Sequence, residues 1–190
     1  MLAFESIGIF TSPPADIPSP PDAPIVVESP SKAQEMIIKL SDFLRYTISQ
    51  DSSSLVSLKE EIENAKRYLE IEQIRFGNKL QHIFNVSDKC LEKLVPAMIL
   101  QPLFENAVKH GVYESTELVI ITTNCISENG SLKINITNNF DPEAKSRQGT
   151  GLGIKNISER LKLMFQQNNL LNFNKEKNIF TVEIQIPQNI

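Results

Sequence analysis

The run Leu100-Gln101-Pro102-Leu103-Phe104-Glu105-Asn106-Ala107-Val108-Lys109-His110-Gly111, followed further on by Gly149-Thr150-Gly151-Leu152-Gly153-Ile154-Lys155-Asn156-Ile157-Ser158-Glu159-Arg160-Leu161, decides the reading of this chain. In the first segment Asn106, Lys109 and His110 stand at i, i+3 and i+4, so they share a helix face. An amide oxygen, an ammonium and an imidazole converging there can hold a hard cation and polyphosphate oxygens. A solvated helix end, with Lys109 and His110 complementing the C-terminal dipole, explains the same residues. In the second segment, glycines at alternate positions before a helix let backbone N–H groups approach phosphate closely, and the helix N-terminus adds a favourable field. It is neither the G-x-x-x-x-G-K-[ST] loop nor the glycine fingerprint of a dinucleotide-binding βαβ unit.

Composition narrows the field around these two segments. The chain has 190 residues, 41% hydrophobic and 22% charged, with no Trp, two His, two Cys and seven Gly. Three of the seven glycines are Gly149, Gly151 and Gly153, a local cluster in a glycine-poor chain. Nineteen Lys and Arg against 23 Asp and Glu, a net charge of −4, supply no excess of cations for a phosphate backbone, so nucleic acid is not an expected partner. Cys90 and Cys125 are too far apart for a metal-ligand motif and too few for a disulfide framework; they read as small core or edge residues in a reducing, cytoplasmic setting. No run of about 18 apolar residues spans a bilayer. Met1 to Phe10 lacks the basic start and long apolar run of a signal peptide.

Proline divides the chain. Seven of the eleven, Pro13, Pro14, Pro18, Pro20, Pro21, Pro24 and Pro30, fall in the first thirty residues, and residues 1–28 read as an extended, disordered tail. Met36, Ile37, Leu40, Phe43, Leu44 and Ile48 then form the stripe of an amphipathic helix. A second helix opens on Ser57 and Glu60 in capping-box spacing, carries Leu58, Ile62, Ala65, Leu69 and Phe76, and ends at Gly77-Asn78. The polar Asp51 to Ser54 loop joins the two as an antiparallel hairpin. From Lys79 the pattern becomes strand-like, with His82 a partly covered strand residue rather than a ligand. A helix is expected from Pro96 to His110, with Pro102 forcing a kink or a late start and Gly111 as a left-handed stop. Strands over 117–124 and 131–137 flank Asn129-Gly130, a strong hairpin signal. The glycine cluster leads into a helix with Ile154, Ile157, Leu161 and Met164 on one face, and residues 178–187 supply the last strand. This order argues an α+β fold, a two-layer sandwich of a mixed β-sheet covered by helices, preceded by a helical hairpin. The expected divisions are a tail at 1–28, the hairpin at 29–76 and a catalytic unit at 77–190.

The two segments together resemble the catalytic part of LytS-like sensor histidine kinases. Upstream, Lys39-Leu40-Ser41-Asp42-Phe43-Leu44-Arg45-Tyr46, Glu60-Glu61, Tyr68-Leu69-Glu70-Ile71-Glu72 and Arg75-Phe76 extend the likeness, which covers roughly residues 31–187. The resemblance implies the ATP-binding fold shared by histidine kinases and gyrase-type ATPases, with ATP and Mg²⁺ as cofactors. In it the asparagine matching Asn106 holds magnesium against the triphosphate. Gly149, Thr150, Gly151, Leu152 and Gly153 match the phosphate-contacting glycine box. Phe140 to Gln148 matches the lid, where Lys145 and Arg147 can pair with phosphate oxygens or serve only solubility. The implied partners are ATP, a phosphoacceptor histidine helix and a response regulator supplied elsewhere. Full-length relatives are membrane-anchored kinases, no membrane segment is read here, and a homodimer is the assembly to test.

Three departures from the family pattern bear on function. Asn138 stands where an adenine-reading aspartate is expected; its carbonyl oxygen can still accept from the exocyclic amine, and Asp141 is a substitute candidate. Pro102 occupies the position of the water-activating glutamate of gyrase-type ATPases and cannot act as a base, which disfavours hydrolysis. The family's phosphoacceptor histidine precedes the helix matching Ser31 to Gln50, yet no histidine occurs before His82. Phosphotransfer to a histidine supplied in trans is therefore the leading expectation. A non-catalytic nucleotide-binding or partner-binding module, and a serine kinase of the anti-sigma type, are the alternatives.

Overall fold

The computed structural model describes residues 29–51, 53–143 and 152–188. The proline-rich tail lies outside them, as do Lys145, Arg147 and the first part of the glycine box. Helix α1 (Pro30–Ser49) begins with proline in its first turn, where the missing N–H costs nothing. Only Phe43 of α1 is buried, its ring centroid 6.0 Å from that of Tyr68. Ile37 and Ile48 of the expected stripe stay 64% and 76% exposed, because among the described residues the helix that packs most closely on α1 covers only part of that face.

A short strand, β1 (Leu55–Ser57), precedes helix α2 (Leu58–Phe76). The capping box at the head of α2 is present: Glu60 N–H donates to Ser57 Oγ at 3.3 Å, and Ser57 N–H to Glu60 Oε2 at 3.0 Å. Gly77 stops α2 at φ 56, a left-handed value open to glycine. Leu58, Ile62, Ala65 and Leu69 enter the same core as the sheet, so the packing does not break at residue 77.

Strand β2 (Leu80–Asn85) leads through a single helical turn, α3 (Asp88–Leu91), to β3 (Leu94–Pro96). Strand β3 pairs antiparallel with β1, Leu55 opposite Pro96 and Ser57 opposite Leu94. This pairing takes Pro96 out of the expected helix. Helix α4 therefore runs only from Gln101 to Ala107 with Pro102 in its first turn, the late start that the proline allowed. Beyond it the chain makes one π turn, Val108–Val112, closed by Tyr113 N–H to Val108 O at 3.1 Å. The expected left-handed stop at Gly111 is not formed: of the described glycines only Gly77 and Gly130 have positive φ. Gly111 is instead buried where no side chain fits, as its neighbours below show.

Strands β4 (Val119–Glu128) and β5 (Ser131–Asn139) form the expected hairpin. Asn129 and Gly130 both take positive φ, 50 and 70, as a tight two-residue turn requires. After α5 (Leu152–Phe165), β6 (Leu171–Glu176) and β7 (Ile179–Pro187) complete a five-stranded sheet in the order β2-β4-β5-β7-β6, in which only β2 and β4 are parallel. Strand β6 is an exposed edge of which only Leu171 is partly covered, and its alternation, Leu171 and Phe173 against Asn172 and Asn174, is too short to stand out as a strand signal. Leu132, Ile134 and Ile136 of β5 alternate into the core with Val182, Ile184 and Ile186 of β7. Leu103 and Phe104 of α4 and Ile157 and Leu161 of α5 join them in one buried cluster. The architecture is the expected α+β arrangement of mixed sheet and helices with a helical N-terminal part. Cys90 is buried and Cys125 half-buried, both as free thiols; burial and the neighbouring Cys90 thiol push Cys125 far up. His82 is half-buried edge-on to Phe84, and burial lowers its pKa. Among the described residues no helix is long and apolar enough to cross a membrane.

Candidate functional site

Helices α4 and α5 bring the two sequence segments together. A Cβ placed on Gly153, in the first turn of α5, would lie 3.9 Å from Pro102 Cβ. Pro102 and Asn106 are one helical turn apart on the same face of α4, so the start of the glycine-box helix adjoins the face that carries Asn106. Asn106 is half-buried and makes no side-chain hydrogen bond to another described residue. Lys109 is exposed and, among the described residues, unpaired. His110 lies in the π turn and its Nδ1 is 3.1 Å from Glu114 Oε1, which orients the ring. Single π turns inside helices recur at functional positions because they re-aim side chains that regular spacing would place elsewhere.

Asn138 is 3% exposed and sits opposite Ile121 in the β4–β5 register. Its Nδ2 donates to Asn139 O at 3.0 Å and lies 3.0 Å from where a Gly111 Cβ would be. Gly111 is thus required for close approach: a methyl there would also meet Val119 Cγ1 at 3.0 Å and Asn139 O at 3.3 Å. Asp141 is partly exposed, and its Oδ1 accepts from Glu143 N–H at 2.9 Å in a local turn. Gly149, Thr150 and Gly151 lie outside the described residues; Leu152 opens α5 and Gly153 follows it.

A hard cation placed beside α4 could take the amide oxygen of Asn106 as a ligand, a suitable donor type for Mg²⁺, which keeps several waters and takes few protein ligands beside phosphate. Among the described residues no group of three His, Cys, Asp or Glu is placed to hold a metal. Phosphate oxygens would then have to complete the shell.

Beneath α4 runs a buried polar network that the apolar pattern concealed. Asn64 of α2 donates to Gln101 Oε1 at 3.4 Å, and Gln101 Nε2 donates to Glu105 Oε1 at 3.0 Å. Burial raises the pKa of Glu105, opposed by that hydrogen bond. Glu72 is 7% exposed; burial raises its pKa against the pull of Arg75, whose guanidinium also lies over the Phe76 and Tyr113 rings. Glu61 is 2% exposed and accepts from Met98 N–H at 2.7 Å and Leu100 N–H at 3.0 Å. The sequence did hold a signal for these groups. Glu61, Asn64 and Glu72 fall on the apolar face of α2, where a polar residue needs a partner.

Comparison with known proteins supports one family. Residues 23–80 match the profile described as Histidine kinase. The chain is 30% identical over 146 residues to sensor histidine kinase YpdA of Escherichia coli (strain K12), covering 72% of this chain and 26% of that protein. It is 32% identical over 144 residues to sensor protein LytS of Oceanobacillus iheyensis, covering 68% of this chain and 25% of that protein. The chain thus spans about a quarter of the length of the curated relatives it matches. Among solved structures, the catalytic domain of histidine kinase ThkA superposes with a TM-score of 0.54 at 15% identity, over 71% of this chain and 95% of that one. With its ordered motifs, this profile match and this fold, the chain belongs to the LytS-like histidine kinases and carries their catalytic-domain fold.

Proposed function

We propose that this chain is the catalytic module of a two-component sensor kinase, binding Mg·ATP between α4 and α5 and passing the γ-phosphoryl group to a histidine presented in trans. The observation that carries the reading is the approach of Gly153 to Pro102, one turn from a half-buried Asn106 whose amide has no protein partner among the described residues. When bound, magnesium neutralises charge on the β- and γ-phosphates. Asn106 orients that ion through its amide oxygen, Lys109 pairs with a phosphate oxygen, and the glycine-box amides cradle the chain of phosphates. Asn138 faces the base at the Gly111 approach. In the transfer the bond from the γ-phosphorus to the β-bridging oxygen breaks, one to an imidazole nitrogen forms, and ADP leaves. Pro102 offers no proton acceptor for water, which favours transfer over hydrolysis. A response regulator is the acceptor that follows.

Titration calorimetry with Asn106→Ala tests the site: Mg·ATP binding is lost, or becomes indifferent to magnesium. Unchanged Mg·ATP affinity would sink the assignment. With γ-labelled ATP the chain alone stays unlabelled, and label appears on an added phosphoacceptor helix; acid-labile, alkali-stable phosphate on the chain alone refutes transfer in trans. The buried Asn138, its Nδ2 already donated to Asn139 O, favours a second reading, a partner-binding module with feeble nucleotide affinity. No saturation at millimolar ATP selects it.

A further inference from the structure

Met98 stands between β3 and α4 with φ 60, a left-handed backbone that a residue with a side chain holds only when its surroundings impose it. What imposes it is a carboxylate from α2. Glu61, 2% exposed, accepts from Met98 N–H at 2.7 Å and from Leu100 N–H at 3.0 Å, and Leu100 is the residue on which α4 begins. On the flanks, Ala97 N–H donates to Ser54 O at 3.0 Å and Leu58 N–H to Lys93 O at 2.8 Å. The guanidinium of Arg160 on α5 is near enough to act on both Glu61 and Asp51. One buried carboxylate thus meets the entry of the helix that carries Asn106, within the electrostatic reach of a cation on the glycine-box helix. Burying a charge is costly unless it is fully hydrogen-bonded, and an apolar residue at this position of the stripe would pack without that cost.

We propose that Glu61 is a positioning residue for the nucleotide site: by holding the Met98 and Leu100 amides it sets the direction in which α4 starts, and with it the place of Asn106. The inference rests on the Mg·ATP reading above. The test uses the full chain carrying Glu61→Gln, which keeps the shape but offers one of the two amides a donor instead of an acceptor. ATP affinity is measured by calorimetry with magnesium and with a chelator, beside a thermal melt. A structural role alone lowers the melting temperature and leaves the ratio of the two dissociation constants as in the parent chain. A positioning role reduces that ratio by about tenfold or more in a variant that still melts cooperatively, the range typical for residues that orient a metal ligand. An unchanged ratio in the folded variant overturns the proposal. If Glu61→Gln does not fold, Glu61→Asp, with the carboxylate drawn back by one methylene, is read in the same way. If neither folds, the proposal is also overturned, since the carboxylate then supports the whole core rather than one helix. If the parent chain binds no nucleotide, the functional reading fails and amide exchange decides this one. Exchange at residues 98–106 about tenfold faster in the variant, with β5 and β7 unchanged, supports positioning; a uniform rise, or none, overturns it.

Discussion

Replacing Gly111 by alanine separates packing from binding at the point where the π turn meets β5. The added methyl would meet Asn138 Nδ2 at 3.0 Å, Val119 Cγ1 at 3.0 Å and Asn139 O at 3.3 Å. All three belong to residues of the sheet, Val119 in β4 and Asn138 and Asn139 in β5. The Val119 methyl belongs to a fully buried side chain and the Asn139 oxygen to the backbone, while Asn138 is itself 3% exposed. None has room to give, and overpacking of this kind costs typically about 1–3 kcal/mol. Alanine recovers about 0.5–1 kcal/mol of helical preference over glycine. The net expectation is a loss of about 1–2 kcal/mol, a fall of roughly 2–8 °C in melting temperature for a domain of this size. Calorimetric melting reads the packing, and ADP titration below the melting point reads the site. If Asn138 faces the base, the methyl that displaces it weakens ADP binding as well. A melting temperature at or above that of the parent chain would refute the packing argument, and a destabilised variant with unaltered ADP affinity would remove Asn138 from the site.

Gly153→Ala is expected to behave in the opposite sense. Its nearest neighbour would be Pro102 Cβ at 3.9 Å, an ordinary contact, so stability rises by about 0.5–1 kcal/mol while ATP affinity falls about tenfold where the methyl blocks the approach of phosphate; wild-type affinity by calorimetry would exclude phosphate from this turn. Phe104→Ala, removing a side chain with no exposure and a ring 5.9 Å from Phe84, should cost about 3–5 kcal/mol in urea unfolding, and a loss below about 1.5 kcal/mol would show that the core reorganises there. Glu72 gives a pH test. Burial holds its folded pKa above the ordinary glutamate range, so just above that range the native state binds more protons than the unfolded chain, and stability falls as pH rises through the window. Melting Glu72→Gln beside the parent chain between about pH 4.5 and 7 should show the variant gaining stability relative to the parent as pH rises; a variant that loses relative stability over the same range would contradict the sign.

Much of the architecture was legible because it depends on near neighbours. The capping box at Ser57 and Glu60, the Asn129-Gly130 turn and the alternation of β5 each involve residues a few positions apart, and each appears as expected. The juxtaposition of the asparagine and glycine segments was legible only through family resemblance. What failed to show in the sequence depends on residues far apart in the chain. Pro96 looked like a helix start because its strand partner, Leu55, lies forty-one positions away. Gly111 looked like a helix stop because the groups that require a glycine there, Asn138, Val119 and Asn139, come from two later strands. The partner of Glu105 is Gln101 one turn back, itself bonded to Asn64 across in α2.

By itself, then, the sequence determined the α+β class, most of the elements and the two segments that meet at the candidate site, since periodicity and turn chemistry are local. The tertiary structure alone decided how those segments face each other: the β1–β3 pairing that delays α4, the π turn that carries Lys109 and His110, and the buried carboxylate of Glu61 at the head of α4. The strand pairing and the Glu61 contacts join residues about forty positions apart, so their energy exists only once the core has brought them together; the π turn is closed locally, but Gly111 within it packs against two later strands.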